Sequence, residues 1–173
     1  MVIKSDIPLK GFAWDTLIKD LKSIFNTRTN YSLYILCLAI GIMYDQRVCK
    51  MDGEEAVEKH SVPRNIITNN DNGKLDFYFQ AAVLSTSTEA FPEEQRLRYA
   101  FGDEEPLIGD SQLKKIDFLT EFANFGATIL VEKIGETNII TMDNILRFLA
   151  ATVEGENLDI DSVPDELLYE ELN

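Results

Sequence analysis

The stretch Asn30-Tyr31-Ser32-Leu33-Tyr34-Ile35-Leu36-Cys37-Leu38-Ala39-Ile40-Gly41-Ile42-Met43-Tyr44-Asp45 decides the fold. From Leu33 to Tyr44 it is apolar without interruption, at twelve residues. That is short of the roughly 20 that a bilayer span needs. A helix that is apolar nearly all round belongs among other helices. Asn30 reads as its N-cap, and the helix is expected over Tyr31 to about Asp45. Ala39 and Gly41 are small enough to let another backbone come close. This segment is expected to be the buried centre of the fold.

The flanking segments carry helical periodicity. Trp14, Leu17, Ile18, Leu21, Ile24 and Phe25 recur at three and four, which predicts a helix over Trp14–Phe25. Thr27 to Asn30 completes a polar break before the central helix. A short helix is expected at Glu54–His60, and another from Pro63 through Ile67. Asn69-Asn70-Asp71-Asn72-Gly73 is a turn signal. Lys74–Leu84 allows strand alternation at Leu75, Phe77 and Phe79, but Ala81-Ala82 and the pattern through Val83 and Leu84 favour a helix. Residues 85–110 hold two prolines, two glycines and seven acids against two arginines. They read as a long surface segment with a short helix at Glu93–Phe101.

Asp110 or Ser111 is expected to cap a long helix reaching about Ile134. Its stripe is Leu113, Ile116, Leu119, Phe122, Ala123, Gly126, Ile129, Leu130 and Ile134. Gly126 falls on that stripe, and glycine inside a helix costs about 1 kcal/mol against alanine. A close helix crossing there is the expected compensation. Thr141 is expected to cap a last helix to about Val153, with Ile145, Leu146, Leu149 and Ala150 inward. The predicted fold class is all-α: a compact orthogonal bundle of five to seven helices over residues 1–153, followed by an acidic tail over 154–173.

Composition narrows function. The chain has 173 residues, 16 Lys+Arg against 30 Asp+Glu, and a net charge of −14. The tail alone holds eight acids and no Lys or Arg. Phosphate repels such a body, so direct nucleic-acid binding is not expected. Met1 to Asp6 has no apolar signal region, so a cytoplasmic protein with no membrane partner is expected. Cys37 reads as a buried small hydrophobe and Cys49 as a thiol outside any disulfide.

Catalytic and metal motifs are missing at the level of spacing. One His and two Cys are too few for a closed zinc site of those residues alone. The calcium-loop frames around Gly73 and Asp161 lack the required Glu. His60, the single imidazole, reads as a solvated residue. There is no phosphate-binding glycine loop, and Asp20-Leu21-Lys22 sits on an amphipathic helix. No catalytic, metal or cofactor residues are assigned, and a non-enzyme is expected. Phe77, Tyr78 and Phe79 read as core in the absence of a basic groove.

The features that suggest binding are charged. In the tail, Asp159, Asp161, Asp165, Glu166, Glu170 and Glu171 accompany Leu167, Leu168, Tyr169 and Leu172. Ser162-Val163-Pro164-Asp165 resembles a helix start. The tail is expected to dock on a basic surface of a protein partner, with the leucines and tyrosine as apolar anchors. Arg47 and Arg64, with Lys50 and Lys59, form a second candidate contact patch. A small homo-oligomer is compatible with all of this.

Two segments carry a family resemblance. One is Ile24-Phe25-Asn26-Thr27 followed by Leu38-Ala39-Ile40-Gly41 and Arg47-Val48. The other is Glu121-Phe122-Ala123-Asn124-Phe125-Gly126 with Ile129-Leu130 and Glu132. Over roughly residues 14–150 the chain resembles the Dnd system-associated protein 4 family, whose genes lie beside bacterial DNA phosphorothioation systems. Residues 85–110 and 154–173 are not part of the family pattern. The resemblance implies a non-catalytic accessory or adaptor subunit of a DNA-modification or anti-phage defence system, working through protein contacts. The charge suggests an alternative, an acidic inhibitor or DNA mimic that blocks a nucleic-acid enzyme. Gly41, Glu121, Asn124 and Gly126 are assigned structural roles, with Glu121 and Asn124 reaching the 26–30 loop.

Overall fold

A computed structural model describes residues 1, 3–24, 29–88, 91–102, 107, 108, 111, 112 and 114–153. The fold is mostly helical, and the chain divides into two compact units, Met1–Glu132 and Lys133–Asn173. In the first unit, β1 (Ile7–Leu9) precedes α1 (Phe12–Asp20) and α2 (Asn30–Met43). Then come β2 (His60–Val62), α3 (Arg64–Asn70), α4 (Lys74–Ser85) and α5 (Glu93–Phe101). A short hairpin, β3 (Leu107–Ile108) and β4 (Ser111–Gln112), leads to α6 (Lys115–Val131). The described part of the second unit carries α7 (Asn138–Val153).

The central helix is where its composition puts it. No residue of α2 is exposed, and Tyr31, Leu33, Tyr34, Cys37, Leu38, Ile40 and Gly41 are buried. Its cap differs from expectation. Thr29 is the N-cap, and Asn30 instead donates from its side chain to Ser61 O at 3.0 Å. Asn30 therefore ties the helix start to β2.

The pairing of α2 with α6 is the most extensive between any two described elements, and two glycines make it possible. A Cβ on Gly41 would stand 2.0 Å from Phe122 O, and one on Gly126 would stand 1.8 Å from Cys37 O. Neither site has room for a methyl group. This is the close crossing anticipated from Gly126, and it offsets glycine's helix penalty with backbone packing. Around it lie Trp14 stacked on Tyr34 and an aromatic cluster centred on Phe118. Phe79, Phe91 and Phe122 each meet the Phe118 ring at 5.2–6.1 Å between centroids. Of the aromatic run, Phe79 is core, whereas Phe77 is 64% exposed.

Several expected boundaries shift. The first helix ends at Asp20, not Phe25, and Leu21 is buried in the turn after it. The helix expected at 54–60 is absent. Residues 52–56 turn, and His60 begins a strand paired antiparallel with β1, Leu9 opposite His60 and Ile7 opposite Val62. Three-residue strands are too short to show alternation against background. Ser111 is not a helix cap, because its backbone pairs with Ile108 and the helix starts only after Lys114. Residues 93–101 form the helix expected there, so the 85–110 segment is not wholly irregular. Arg96 holds it in place by donating to Val83 O and Thr86 O, at 2.8 and 2.9 Å, at the end of α4.

In the second unit α7 begins four residues before the expected start at Met142. Thr137 Oγ1 accepts from Ile140 N, so the expected connector 137–140 is its first turn. Thr141 is buried and its Oγ1 accepts from Gly135 N at 2.9 Å. The buried face is Thr141, Ile145 and Phe148. Leu146 and Ala150, expected inward, are exposed.

Candidate functional site

Two polar constellations are assembled from side chains that sequence spacing does not connect, and one apolar stripe runs along a single helix. The first surrounds the end of α2. Glu121 O accepts from Val48 N at 2.9 Å, and Asn124 Nδ2 donates to Val48 O at 3.0 Å. Asn124 Oδ1 in turn accepts from Trp14 Nε1 at 2.8 Å. Arg47 donates to Glu121 Oε2 at 3.0 Å, and to Thr88 through Nε and Nη2. Its guanidinium carbon stands 5.0 Å from the Phe118 ring centroid.

Glu121 and Asn124 therefore serve the 47–48 segment, while residues 26–28 of the loop they were expected to reach lie outside the described residues. The Gly41–Phe122 contact explains this, because it places residues 121–124 beside the C-terminal part of α2. Arg47, assigned to a surface patch, is held half-buried by an ion pair, hydrogen bonds and ring stacking, a desolvated setting suited to guanidinium. Arg64 is exposed at the start of α3, and Lys50 and Lys59 are exposed too. Glu121 and Asn124 also line a cleft of about 1240 Å³, shared with Lys10, Glu54, Lys114 and Lys115. The tail residues Asp159, Asp161, Asp165, Glu166, Leu168, Tyr169, Glu170 and Glu171 lie outside the described residues.

The second constellation was not anticipated. Asp15 on α1, Glu58 and His60 bring one ligand atom each to within 4.8 Å of one another. His60 Nε2 and Asp15 Oδ1 are 3.0 Å apart, and Lys19 donates to Asp15 Oδ2 at 2.8 Å. The hydrogen bonds from Lys19 and then His60 hold the Asp15 carboxyl below its ordinary value. An ionised Asp15 carboxylate only accepts, so the 3.0 Å contact is a hydrogen bond in the forms of His60 that carry a proton on Nε2. Glu58 and His60 line a cleft of about 450 Å³ with Lys19, Lys22, Thr29 and Asn30. His60 is consequently not the solvated residue expected. Its strand turns the ring inward, and only 14% of the side chain is exposed.

The stripe lies on α7. Ile139, Met142 and Leu146 succeed one another at three and four residues and are 82%, 47% and 60% exposed. Alternating with them, Thr141, Ile145 and Phe148 are buried, so the helix is apolar on two faces. In the first unit Leu97 and Phe101, one turn apart on α5, are also exposed, at 66% and 62%.

Cys37 is buried, and burial pushes its thiol up, away from reactivity. Cys49 is exposed, and neither cysteine is in a disulfide. No helix among the described residues is long and apolar enough to cross a membrane. The chain matches no family model, no curated protein and no solved structure.

Proposed function

We propose that this protein works by binding, as a non-catalytic accessory subunit held against another protein. The observation that carries this reading is the exposed apolar stripe Ile139, Met142 and Leu146 on α7. Amphipathic helices dock on partner grooves through anchors at this spacing, and large side chains left in water in a row mark contact surfaces. The net charge of −14 favours a partner with a basic surface and speeds encounter with it. The acidic tail extends the same preference.

The narrower assignment is to a bacterial DNA-modification or anti-phage defence system in the cytoplasm. It rests on the resemblance of the two segments within residues 14–150 alone. Capture of tagged chain from its native host, with crosslinking, tests it. A defence-system protein recovered in stoichiometric amount is the expected result, and recovery of none contradicts the assignment.

The charge also favours a second reading, an acidic inhibitor that imitates a nucleic-acid backbone. Salt separates the two. Contact through the α7 stripe survives a rise from about 0.05 to about 0.5 M salt, whereas a charge-dominated mimic loses its affinity as the Debye length shrinks.

A further inference from the structure

We propose that Asp15, Glu58 and His60 form a binding site for a divalent first-row transition-metal ion at the edge of the smaller cleft. Two distant pieces of chain supply the donors: α1 gives Asp15, and the segment that enters β2 gives Glu58 and His60. Their ligand atoms lie within 4.8 Å of one another, so a small inward shift, of the exposed Glu58 first, lets one ion reach all three at metal–ligand distances of about 2.0–2.2 Å. Asp15 and His60 are largely enclosed, with 13% and 14% of their side chains exposed, so neither is a freely waving surface group. The register Leu9 opposite His60 in the β1–β2 pair fixes the backbone that carries the imidazole.

Charge and donor type set the class of ion. Two carboxylates contribute −2, which a divalent cation neutralises. One imidazole nitrogen among carboxylate oxygens suits zinc or manganese better than magnesium or calcium, and the general affinity order places zinc above manganese. Three protein ligands leave the ion with open positions. Because Glu58 and His60 also line the cleft of about 450 Å³, the ion is reachable from solvent.

Ion uptake changes the present bonding in a defined way. A metal takes the Nε2 lone pair, so any proton that His60 shares with Asp15 there moves to Nδ1 or to solvent. Lys19 already holds Asp15 Oδ2 at 2.8 Å, so its ammonium competes with the ion for that carboxylate. Lys19 therefore weakens the site, and removing its charge strengthens it. A bound ion ties α1 to β2 and stabilises the folded unit by mass action.

Zinc titration of the full chain by calorimetry tests the site, in a Cys49→Ser background so that the exposed thiol does not contribute. One saturable zinc per chain is expected. His60→Asn and Glu58→Gln each weaken binding about tenfold or more, the loss that even an outer-shell change commonly causes. Lys19→Gln tightens it. Zinc raises the melting temperature of the parent and not of H60N. Glu58 is exposed, so E58Q retains the fold, which circular dichroism checks. No saturable uptake, or parental affinity in either ligand variant, overturns the proposal, because zinc is then scattered over the acidic surface.

Discussion

Helices α2 and α7 are both rich in large apolar residues, yet they treat them differently. Every residue of α2 is at least half-buried, and its small residues let α6 approach to backbone contact. On α7 one face is buried while Ile139, Met142 and Leu146 remain in water. Apolar composition alone therefore does not separate a core helix from a contact helix. Glycine placement does so for α2, because Gly41 and Gly126 mark where another backbone must fit. α7 contains no glycine, and its outer stripe is interrupted by charge at Asp143 and Arg147, which pair at 2.9 Å.

Substitutions sharpen this contrast. The largest effect is expected at the crossing. Gly126→Ala and Gly41→Ala each force a methyl into backbone, and overpacking typically costs about 1–3 kcal/mol and sometimes more. These two belong at or above the upper end, and denaturant melts read it. Asn124→Ala comes next, since it strands Trp14 Nε1 and Val48 O, both now paired through Asn124. About 2 kcal/mol is expected for leaving such groups unsatisfied. The α7 variant Ile139→Ser, Met142→Ser, Leu146→Ser is expected to hold its stability to within about 0.5 kcal/mol per site. A melt showing that the triple variant is as damaged as G126A would break the comparison, since α7 would then be a core helix as well.

The smallest effect concerns pH. The folded-state carboxyl of Asp15 is depressed by Lys19 and His60. Its contribution is therefore complete above the unfolded value, about 3.9 for aspartate, and is lost as pH falls through the lower folded value. Wild type should exceed Asp15→Asn in stability at neutral pH, and the gap should close in acid. Paired melts at neutral pH and near pH 3 check this. A gap that widens in acid would contradict the ion-pair geometry.

The parts of the fold legible in sequence were those with long periodicity or a strong composition. α2 announced itself by twelve uncharged residues, and Gly126 announced the crossing by sitting on an apolar stripe. α4 and α5 could be read from their turn signals and local pattern. Tertiary pairing set the features that escaped. β1 and β2 are three residues each and leave no periodic trace, so the Glu54–His60 segment read as helix. Asp15 and His60 are 45 residues apart, and each alone looks like a solvated charge. Glu58 and His60 sit two apart, a spacing that points to one face only once the segment is known to be extended. Arg47 read as a surface cation because the Glu121 opposite it belongs to a distant helix. The α7 face was misjudged because apolar residues occupy two sides, and periodicity does not say which one is covered.

The central claim is that α7's outer stripe holds a partner. The measurement is the affinity of the captured partner for the parent chain and for the I139S/M142S/L146S variant, at matched salt and with both chains shown to be folded. The account predicts at least a tenfold loss, about 1.4 kcal/mol, with no change in fold. Equal affinity for the two chains would contradict it.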